Sequence, residues 1–297
     1  MMIVNLLIVL AGAPLLIGVI NKTKALLAGR VGPPVLQLYF DLAKLFRKET
    51  VLSSTTTWIF PTGPAVSFVV ALFAALLLPL AGWAPLAFPG DMILFVYVFA
   101  LARFFTTAAA LDTGSSFEGM GAARELTFAC LAEPALFLGL LTLARLGGSL
   151  ELSSVLMVTA DAWRSASAAL VLIVASWFLV LLAENSRVPF DDPNTHLELT
   201  MIHEVMVLDH SGPAFGLALY ANAAKLFVFC ALVAQVMLPR FDHPLANVAG
   251  SIAAVFGIGV LIGLVESSMA RLRLVRVPQL LITATLIAAF AVVLVLR

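Results

Sequence analysis

Apolar residues fall into eight long runs that polar residues rarely interrupt. The runs cover residues 3–20, 64–80, 91–110, 126–145, 167–183, 214–238, 247–265 and 278–296. A bilayer hydrocarbon core about 30 Å thick is crossed by roughly 20 apolar residues of α-helix. The pattern therefore predicts an all-α polytopic membrane protein with about eight transmembrane helices, forming one transmembrane domain over residues 1–297.

The polar segment between the first two runs has helical periodicity of its own. Its apolar positions are Val35, Leu38, Tyr39, Leu42 and Phe46, and its polar positions are Gln37, Asp41, Lys44 and Lys48. Two opposed faces of this kind predict an amphipathic helix that lies along the membrane surface. Two interpretations of this helix stay open: it rests on lipid headgroups, or its strip of mixed charges pairs with another subunit.

The segment of residues 184–213 is the most highly charged part of this apolar chain. Its acidic residues are Glu184, Asp191, Asp192, Glu198, Glu204 and Asp209, and its other ionisable residues are Arg187, His196, His203 and His210. A Thr-x-x-Glu capping box begins at Thr195, and a Ser-Gly-Pro helix stop follows His210, so a short helix is predicted over 196–210. Its polar groups point in several directions, which predicts that protein and hydrated crevices enclose it.

The three histidines of this segment, spaced seven residues apart, fall near one face of the predicted helix. Seven residues span about 10 Å of helix, which is too wide for one metal ion. The histidines are therefore expected to be structural hydrogen-bonding groups or members of a proton relay. Cys130 and Cys230 lie in separate runs without a neighbouring cysteine, so no metal or cluster site is expected in this chain.

Three charged residues lie away from the ends of the apolar runs, where an unpaired charge is costly. Glu133 precedes Pro134, whose ring frees a backbone carbonyl, so the acid is expected in a polar pocket. Lys225 lies near the middle of the sixth run and is expected to pair with an acid. Arg103 lies about two turns from the end of its run, and its side chain is expected to reach the membrane surface.

A proton-accessible path is predicted from the acids that no local salt bridge or capping role explains. These are Glu133, Glu204, Asp209 and Glu266. Further candidates for proton transfer or electrostatic coupling are Glu184, Glu198 and Lys225, although the capping box alone also explains Glu198.

Composition agrees with a membrane location. The chain is 62% hydrophobic and 11% charged, which leaves no separate soluble domain, and its net charge of zero gives no indication of a nucleic-acid partner. Eleven Lys and Arg residues fall in the loops of one side and four on the other, with two inside the runs. The positive-inside rule then places the basic loops in the cytoplasm and both termini outside, in a multi-pass protein of the plasma (inner) membrane.

Motifs along nearly the whole chain resemble those of the subunit-1 family of respiratory complex I. The first loop carries Gly29-Arg30, Gly32-Pro33-Pro34, Gln37, Asp41, Lys44-Leu45 and Lys48-Glu49. Later motifs are Arg124 with Glu133 nine residues on, then Arg187, Pro189-Phe190-Asp191, Glu198-Leu199, and Glu266 followed by arginines. Asp209-His210 stands where quinone-reducing members have Glu-Tyr, so the chain resembles the branch found in group 4 nickel–iron hydrogenases and formate hydrogenlyase.

The resemblance implies a membrane anchor that has no redox centre or cofactor of its own. Iron–sulfur clusters and a nickel–iron centre are then expected in its partners, which are hydrogenase-type large and small subunits and an iron–sulfur protein of a cytoplasmic arm. Antiporter-like membrane subunits are the other implied partners, and electron transfer would be coupled to proton or sodium translocation. The residues implied in docking the arm are Arg30, Asp41, Lys44, Lys48, Glu49, Arg124, Arg187, Asp191, Asp192, Arg271 and Arg273.

Two other functions fit the same pattern. One is the anchor subunit of a quinone-linked NADH dehydrogenase. The other is a stand-alone secondary ion transporter, which also needs acids at membrane depth, although transporter folds often have broken helices in corresponding halves. Here the irregularity is concentrated in one central segment, which favours the anchor.

Overall fold

The structure is a computed structural model and describes residues 2–80, 82–191, 201–238 and 243–296. All regular secondary structure in these ranges is helical. The α-helices are α1 (Met2–Leu27), α2 (Gln37–Leu45), α3 (Ile59–Leu77), α4 (Asp91–Asp112), α5 (Ser116–Gly147), α6 (Leu152–Ser165), α7 (Ser167–Glu184), α8 (Gly212–Met237), α9 (Pro244–Ser268) and α10 (Val277–Leu296). Short 3-10 helices cover Glu204–Val207 and Leu274–Arg276. Eight of the described helices, all except α2 and α6, are long and apolar enough to cross a membrane, which confirms the predicted all-helical fold.

Helix α8 is the most deeply buried of these spans. In its most apolar 18-residue window 72% of the residues are buried inside the protein, against 22% for the last span. Small side chains such as Ala221, Ala224 and Ala231 lie along it, and small residues let neighbouring helices approach closely within a membrane. Helices α1, α3, α7 and α9 all pack against α8, which places this span at the centre of the bundle.

Helices α5, α7 and α10 pack together beside this centre. Trp177 of α7 is 1% exposed and lies against Gly139 of α5, where an added Cβ would come within 2.1 Å of the indole nitrogen. The Ser176 hydroxyl donates a 2.8 Å hydrogen bond to the carbonyl of Ala284 on α10. The hydrophobic effect does not drive helices together within lipid, so side-chain packing and this interhelical hydrogen bond hold α5, α7 and α10 together.

Helix α6 is the short helix between the fourth and fifth spans. Buried Asp91 accepts a 2.6 Å hydrogen bond from the backbone amide of Leu152 and so fixes the first turn of α6. Near the other end, the Trp163 indole donates to the carbonyl of Val236 at 2.8 Å. These two contacts attach α6 to α4 and α8.

The predicted amphipathic helix is present as α2, which packs against α1 and α8. The chain that follows it is joined to the start of α8. The hydroxyl of Ser211 accepts from the amide of Val51 at 2.8 Å and donates to the carbonyl of Val51 at 3.0 Å. Gly212 has a φ of +52°, and a Cβ there would lie 2.4 Å from the carbonyl oxygen of Glu49. A glycine is required by both the backbone conformation and the close approach.

The helix predicted over 196–210 is wrong for the residues that the structure describes. Only Glu204–Val207 is helical, as a single 3-10 turn, and residues 192–200 lie outside the described ranges. Acids from elsewhere in the chain bind the backbone amides: Asp191 accepts from Ile202 at 3.0 Å, and Glu118 accepts from Asp209 at 3.0 Å. Because these amides already have charged acceptors, an α-helix would have to replace those hydrogen bonds rather than add to them.

Candidate functional site

Arg103 on α4 is the centre of a buried group of charges. It is 9% exposed, and its Nη2 atom lies 2.7 and 2.8 Å from the two carboxylate oxygens of Glu184. Its Nη1 atom contacts Glu133, and its Nε atom lies 4.0 Å from Oε1 of Glu125. The expectation that Arg103 reaches the membrane surface is therefore wrong, because carboxylates from α5 and α7 provide partners within the bundle.

Lys225 on α8 approaches the same group from the opposite side. Its Nζ atom lies 3.0 Å from Oε2 of Glu184 and donates a 2.6 Å hydrogen bond to the backbone carbonyl of that residue. The ammonium also lies 5.9 Å from the ring centroid of Phe229. The prediction that Lys225 pairs with an acid is confirmed.

The five residues Arg103, Glu125, Glu133, Glu184 and Lys225 are called the charge cluster below. It contains three carboxylates and two cations, so it carries one net negative charge when every group is ionised. An uncompensated charge inside a membrane protein is costly, and one bound proton makes the cluster neutral. The arrangement can therefore hold and release a proton. Glu133 is its outermost acid, with a side chain 35% exposed.

Glu266 belongs to a second group of charges. Its carboxylate lies 2.8 Å from Nζ of Lys24 and 3.3 Å from Nη1 of Arg187. Cations distant in sequence pair with both Glu266 and Glu133, which the sequence did not show. The place of these two acids in a proton path stays a prediction.

Asp191 lies next to this second group and holds the segment that precedes α8. It is 2% exposed, lies 2.7 Å from Nη2 of Arg271, and accepts from the amides of Ile202 and His203 at 3.0 and 3.4 Å. Arg187 is also buried. The expected place of Arg187 and Asp191 on an exposed docking surface is therefore corrected: burial against opposite charges removes both from the surface.

Of the other residues implied in docking an arm, some are exposed and some are half-buried. Those exposed in the structure are Arg30, Lys44, Lys48, Glu49 and Arg273. Asp41 and Arg124 are half-buried: Asp41 accepts a 2.9 Å bond from Gln37, and Arg124 donates a 3.0 Å bond to the carbonyl of Met201. Asp192 and the coupling candidate Glu198 lie outside the described residues.

A cavity of about 360 Å³ lies between α1, α2 and α8 on one side and residues 184–191 and 203–210 on the other. Glu184, Arg187, Asp191, Glu204 and Lys225 line it, together with apolar residues such as Leu38 and Phe215. The cavity therefore touches the charge cluster at Glu184 and the second group at Arg187. Asp209 is exposed instead, and its backbone amide binds Glu118. Of the path residues predicted beside Glu133 and Glu266, the structure thus brings Glu204 to the cavity and leaves Asp209 at the surface.

His203 and His210 both line the cavity but make different contacts, so the shared helical face predicted for them is wrong. The His203 ring binds the side-chain amide of Asn222, whereas the buried His210 ring stacks on Phe60 with centroids 3.9 Å apart. Burial, reinforced by the charge of Lys225, lowers the pKa of His203 to about 4. Burial alone lowers the pKa of His210 to about 4. Both imidazoles are therefore neutral near pH 7. His196 lies outside the described residues.

The geometry can be compared with known proteins. Residues 1–297 match the sequence profile of a family described as NADH dehydrogenase. The chain belongs to the NADH dehydrogenase family. It is similar to formate hydrogenlyase subunit 4 of Escherichia coli (strain K12), with 34% identity over 94% of this chain and 92% of that one. It is also similar to hydrogenase-4 component C of the same organism, with 32% identity over 89% of this chain and 85% of that one.

The fold of this NADH dehydrogenase family member also occurs in a solved structure. That structure is the membrane-bound sulfane sulfur reductase, an archaeal respiratory membrane complex. One of its chains matches with a TM-score of 0.84 at 21% identity, and the match covers 99% of both chains. The two sequence relatives agree with the family resemblance that the motifs indicated, and the solved structure shows the same fold.

Sequence reasoning missed three residues of this site. Arg103 was assigned to the membrane surface, and Glu125 and Glu118 were given no role, yet the first two belong to the charge cluster and Glu118 is fully buried against the amide of Asp209. A signal was available for Arg103, because an ionisable residue in a membrane helix normally faces a partner inside the bundle. Glu125 and Glu118 lie near the polar end of α5, where the sequence gives no such signal.

Proposed function

We propose that this chain is the membrane anchor subunit of an energy-converting complex of the formate hydrogenlyase or hydrogenase-4 type. In this role it docks a cytoplasmic redox arm and couples electron transfer in that arm to the movement of protons or sodium ions. The observation that carries the proposal is the charge cluster, which lies within the helix bundle and borders the 360 Å³ cavity through Glu184. The named relatives support the same type of complex.

The proposed coupling follows from the electrostatics of the charge cluster. Glu184 lies between Arg103 and Lys225, so its carboxylate balances two cations at once. A displacement of the cavity wall that moves Glu184 from either cation changes the free energy of the extra proton on the cluster. Binding energy or redox-linked strain at the cavity is thereby converted into uptake or release of a proton. The chain itself transfers no electrons in this proposal.

The proposed docking surface for the arm is formed by the exposed charged residues around α2 and by the loop before α10. It comprises Arg30, Lys44, Lys48, Glu49 and Arg273, on the side of the membrane that the positive-inside rule predicts to be cytoplasmic. Both signs of charge are present, which favours specific pairing with a protein partner over general attraction to anionic lipid. Iron–sulfur clusters and a nickel–iron centre are assigned to the arm subunits, and antiporter-like subunits to the membrane side.

The experiment that tests the function uses the complex purified from its native membrane through a tag on this chain. Mass spectrometry of the purified material is expected to identify hydrogenase-type and iron–sulfur subunits with antiporter-like membrane subunits. In proteoliposomes, hydrogen evolution from reduced methyl viologen is expected to drive proton or sodium movement. Glu184→Gln should reduce the ion movement at least tenfold while hydrogen evolution in detergent stays within about twofold of wild type.

The matched control is Glu151→Gln, which changes an acid next to α6 that bonds the hydroxyl of Ser153 and lies outside the charge cluster. This control is expected to assemble and to move ions like the wild type. Purification of the chain as a stable protein without redox partners would contradict the anchor function. Unchanged ion movement in Glu184→Gln would contradict the role of the charge cluster.

A second candidate function, the anchor of a quinone-linked dehydrogenase, is favoured by one observation. The cavity combines apolar walls, such as Leu219 and Leu226, with the polar groups of Arg187 and Asn222, a combination that suits a ring compound with an isoprenoid tail. Extraction of the purified complex with organic solvent, followed by mass spectrometry, distinguishes the two functions. Quinone present at one molecule per complex, with quinone-dependent turnover, would favour the second function.

A further inference from the structure

His203 and Asn222 stand where the large cavity meets smaller internal spaces. Their side chains are hydrogen-bonded to each other, His203 coming from the segment before α8 and Asn222 from α8 itself. Both residues line the 360 Å³ cavity, and both also line two smaller cavities of about 40 and 20 Å³. The pair therefore forms a shared wall between these spaces.

The larger of the two small cavities leads to the charge cluster. Besides His203 and Asn222 it is lined by Arg103, Glu125 and Lys225. Its volume of about 40 Å³ exceeds the roughly 10–15 Å³ that one water molecule needs, and polar groups surround it. A water molecule in this space is within reach of both the pair and the cluster.

A pair of hydroxyls joins the two small cavities. Ser67 of α3 and Thr106 of α4 line both spaces and are hydrogen-bonded to each other at 3.0 Å. Each hydroxyl also donates or shares a bond with its own helix, through the carbonyls of Gly63 and Ala102. Hydroxyls that both donate and accept are suited to order water along the wall opposite His203.

Both cations and anions face His203. They are Lys225 on α8, Asp191 after α7, the neighbouring Glu204, and, across the 40 Å³ cavity, Arg103 on α4 and Glu125 on α5. Burial, and next the charge of Lys225, hold the pKa of His203 at about 4. The ring is therefore neutral at rest and returns a proton readily after accepting one.

We propose that His203 transfers protons between the large cavity and the charge cluster, and that Asn222 positions its ring. This inference rests on the proposed function and names a residue through which the cluster exchanges protons. In the step, one imidazole nitrogen accepts a proton from a hydronium ion in the large cavity, whose O–H bond breaks to leave water. The other nitrogen then gives its proton to a water molecule in the 40 Å³ cavity, which becomes hydronium, so one N–H and one O–H bond form, one of each breaks, and the ring is neutral again. The hydrogen bond between Nε2 and Asn222 opens during the transfer and re-forms after it.

The test compares His203→Ala with wild type in proteoliposomes that hold the whole purified complex. Proton uptake driven by hydrogen evolution is expected to fall at least tenfold in the variant. Adding imidazole should then restore a large part of the uptake, because the large cavity has room for a free imidazole molecule. His243→Ala, at the exposed N-cap of α9, is the matched control and should show neither the loss nor the rescue.

His203→Gln covers the case in which the alanine variant does not assemble. Glutamine can keep a hydrogen bond to Asn222 but cannot carry a proton at neutral pH. It is expected to assemble and to lose proton uptake like the alanine variant. Normal uptake in His203→Gln, or a loss in His203→Ala that imidazole does not restore, would overturn the proposal.

A separate measurement tests whether Asn222 positions the ring of His203. Asn222→Leu keeps the volume of the side chain but removes its hydrogen bond to His203, so the ring loses its fixed orientation. The expected result is a changed pH profile of proton uptake with unchanged hydrogen evolution, and an unchanged pH profile would overturn the positioning role. If Glu184→Gln abolishes uptake while His203→Gln does not, the function stands and only the histidine step fails. If neither variant affects uptake, the role proposed for the cluster fails as well.

Discussion

Lys225 contacts Glu184 in two ways, through the carboxylate at 3.0 Å and through the backbone carbonyl at 2.6 Å. The second contact lies at the C-terminal end of α7, where the carbonyl groups lack helical partners and carry partial negative charge. The ammonium group of Lys225 thus binds a free carbonyl at the end of α7 and also neutralises part of the negative charge of the cluster.

The first prediction concerns this contact. Lys225→Met leaves Arg103 as the only cation of the cluster against its three acids, so the free energy of unfolding should fall. Breaking a buried pair typically costs about 3–5 kcal/mol, and the lower end applies because the lysine side chain is 21% exposed. Thermal unfolding in detergent measures the change. Adding Glu184→Gln should recover part of the loss, and identical stability of the single and double variants would contradict the pairing.

The second prediction concerns the contact between α5 and α7. Gly139→Ala places a Cβ 2.1 Å from the indole nitrogen of Trp177, and overpacking of this kind costs about 1–3 kcal/mol. The melting temperature should therefore drop. Gly257→Ala on α9 is the control, since nothing lies within 4 Å of the added Cβ, and helix propensity should leave its stability equal or slightly higher. Equal melting temperatures in the two variants would show that Trp177 relaxes without cost.

The third prediction concerns Asp191 as the anchor of the segment that precedes α8. Asp191→Ala removes the acceptor for the amides of Ile202 and His203, so both lose protection. Hydrogen–deuterium exchange across residues 201–211 should become at least tenfold faster. Asp112→Ala serves as the control, because that acid binds Thr57 in a different loop and should leave residues 201–211 unchanged. Equal exchange in both variants would contradict the anchoring role.

The fourth prediction is a pH dependence that His210 contributes. Its pKa of about 4 lies below the ordinary value of 6.5, so the unfolded state binds the proton more readily than the native state. The contribution of neutral His210 to stability is present above pH 6.5 and is lost as the pH falls from 6.5 toward 4. Melting temperatures measured from about pH 7 to about pH 5 should fall less steeply in His210→Phe, which keeps the stacking on Phe60. His243→Ala should follow the wild-type slope.

The transmembrane fold could be predicted from the sequence because each span is a local signal. A run of about 20 apolar residues is enough to identify a span, and the amphipathic pattern that predicts α2 is equally local. The family resemblance was also readable from short motifs. Ion pairs are different, since Arg103 and Glu184 are 81 residues apart and Arg187 and Glu266 are 79 apart. Sequence alone shows that such charges need partners but not which partners they find.

The segment of residues 201–210 shows a second limit. The sequence has a capping box at Thr195 to Glu198 before this segment and a stop signal after it, and both are local preferences for helix. Asp191 and Glu118, however, bind amides of the segment from other elements. Tertiary hydrogen bonds of this kind override local propensity because they satisfy the same donors with charged acceptors, which form stronger hydrogen bonds than backbone carbonyls do. The irregular backbone also separates two of the predicted path residues, since it turns Glu204 to the cavity and Asp209 to the surface.

Two hydrogen bonds between Val51 and Ser211 tie the chain that follows α2 to the start of α8. A pull on the chain after α2 reaches the first turn of α8 directly, with the carbonyl of Glu49 pressed against Gly212. Asn222 lies ten residues further on, roughly 15 Å along the helix axis. A partner that moves α2 would therefore also move α8, and the middle of α8 carries the amide of Asn222 and the ammonium of Lys225, which contact His203 and Glu184.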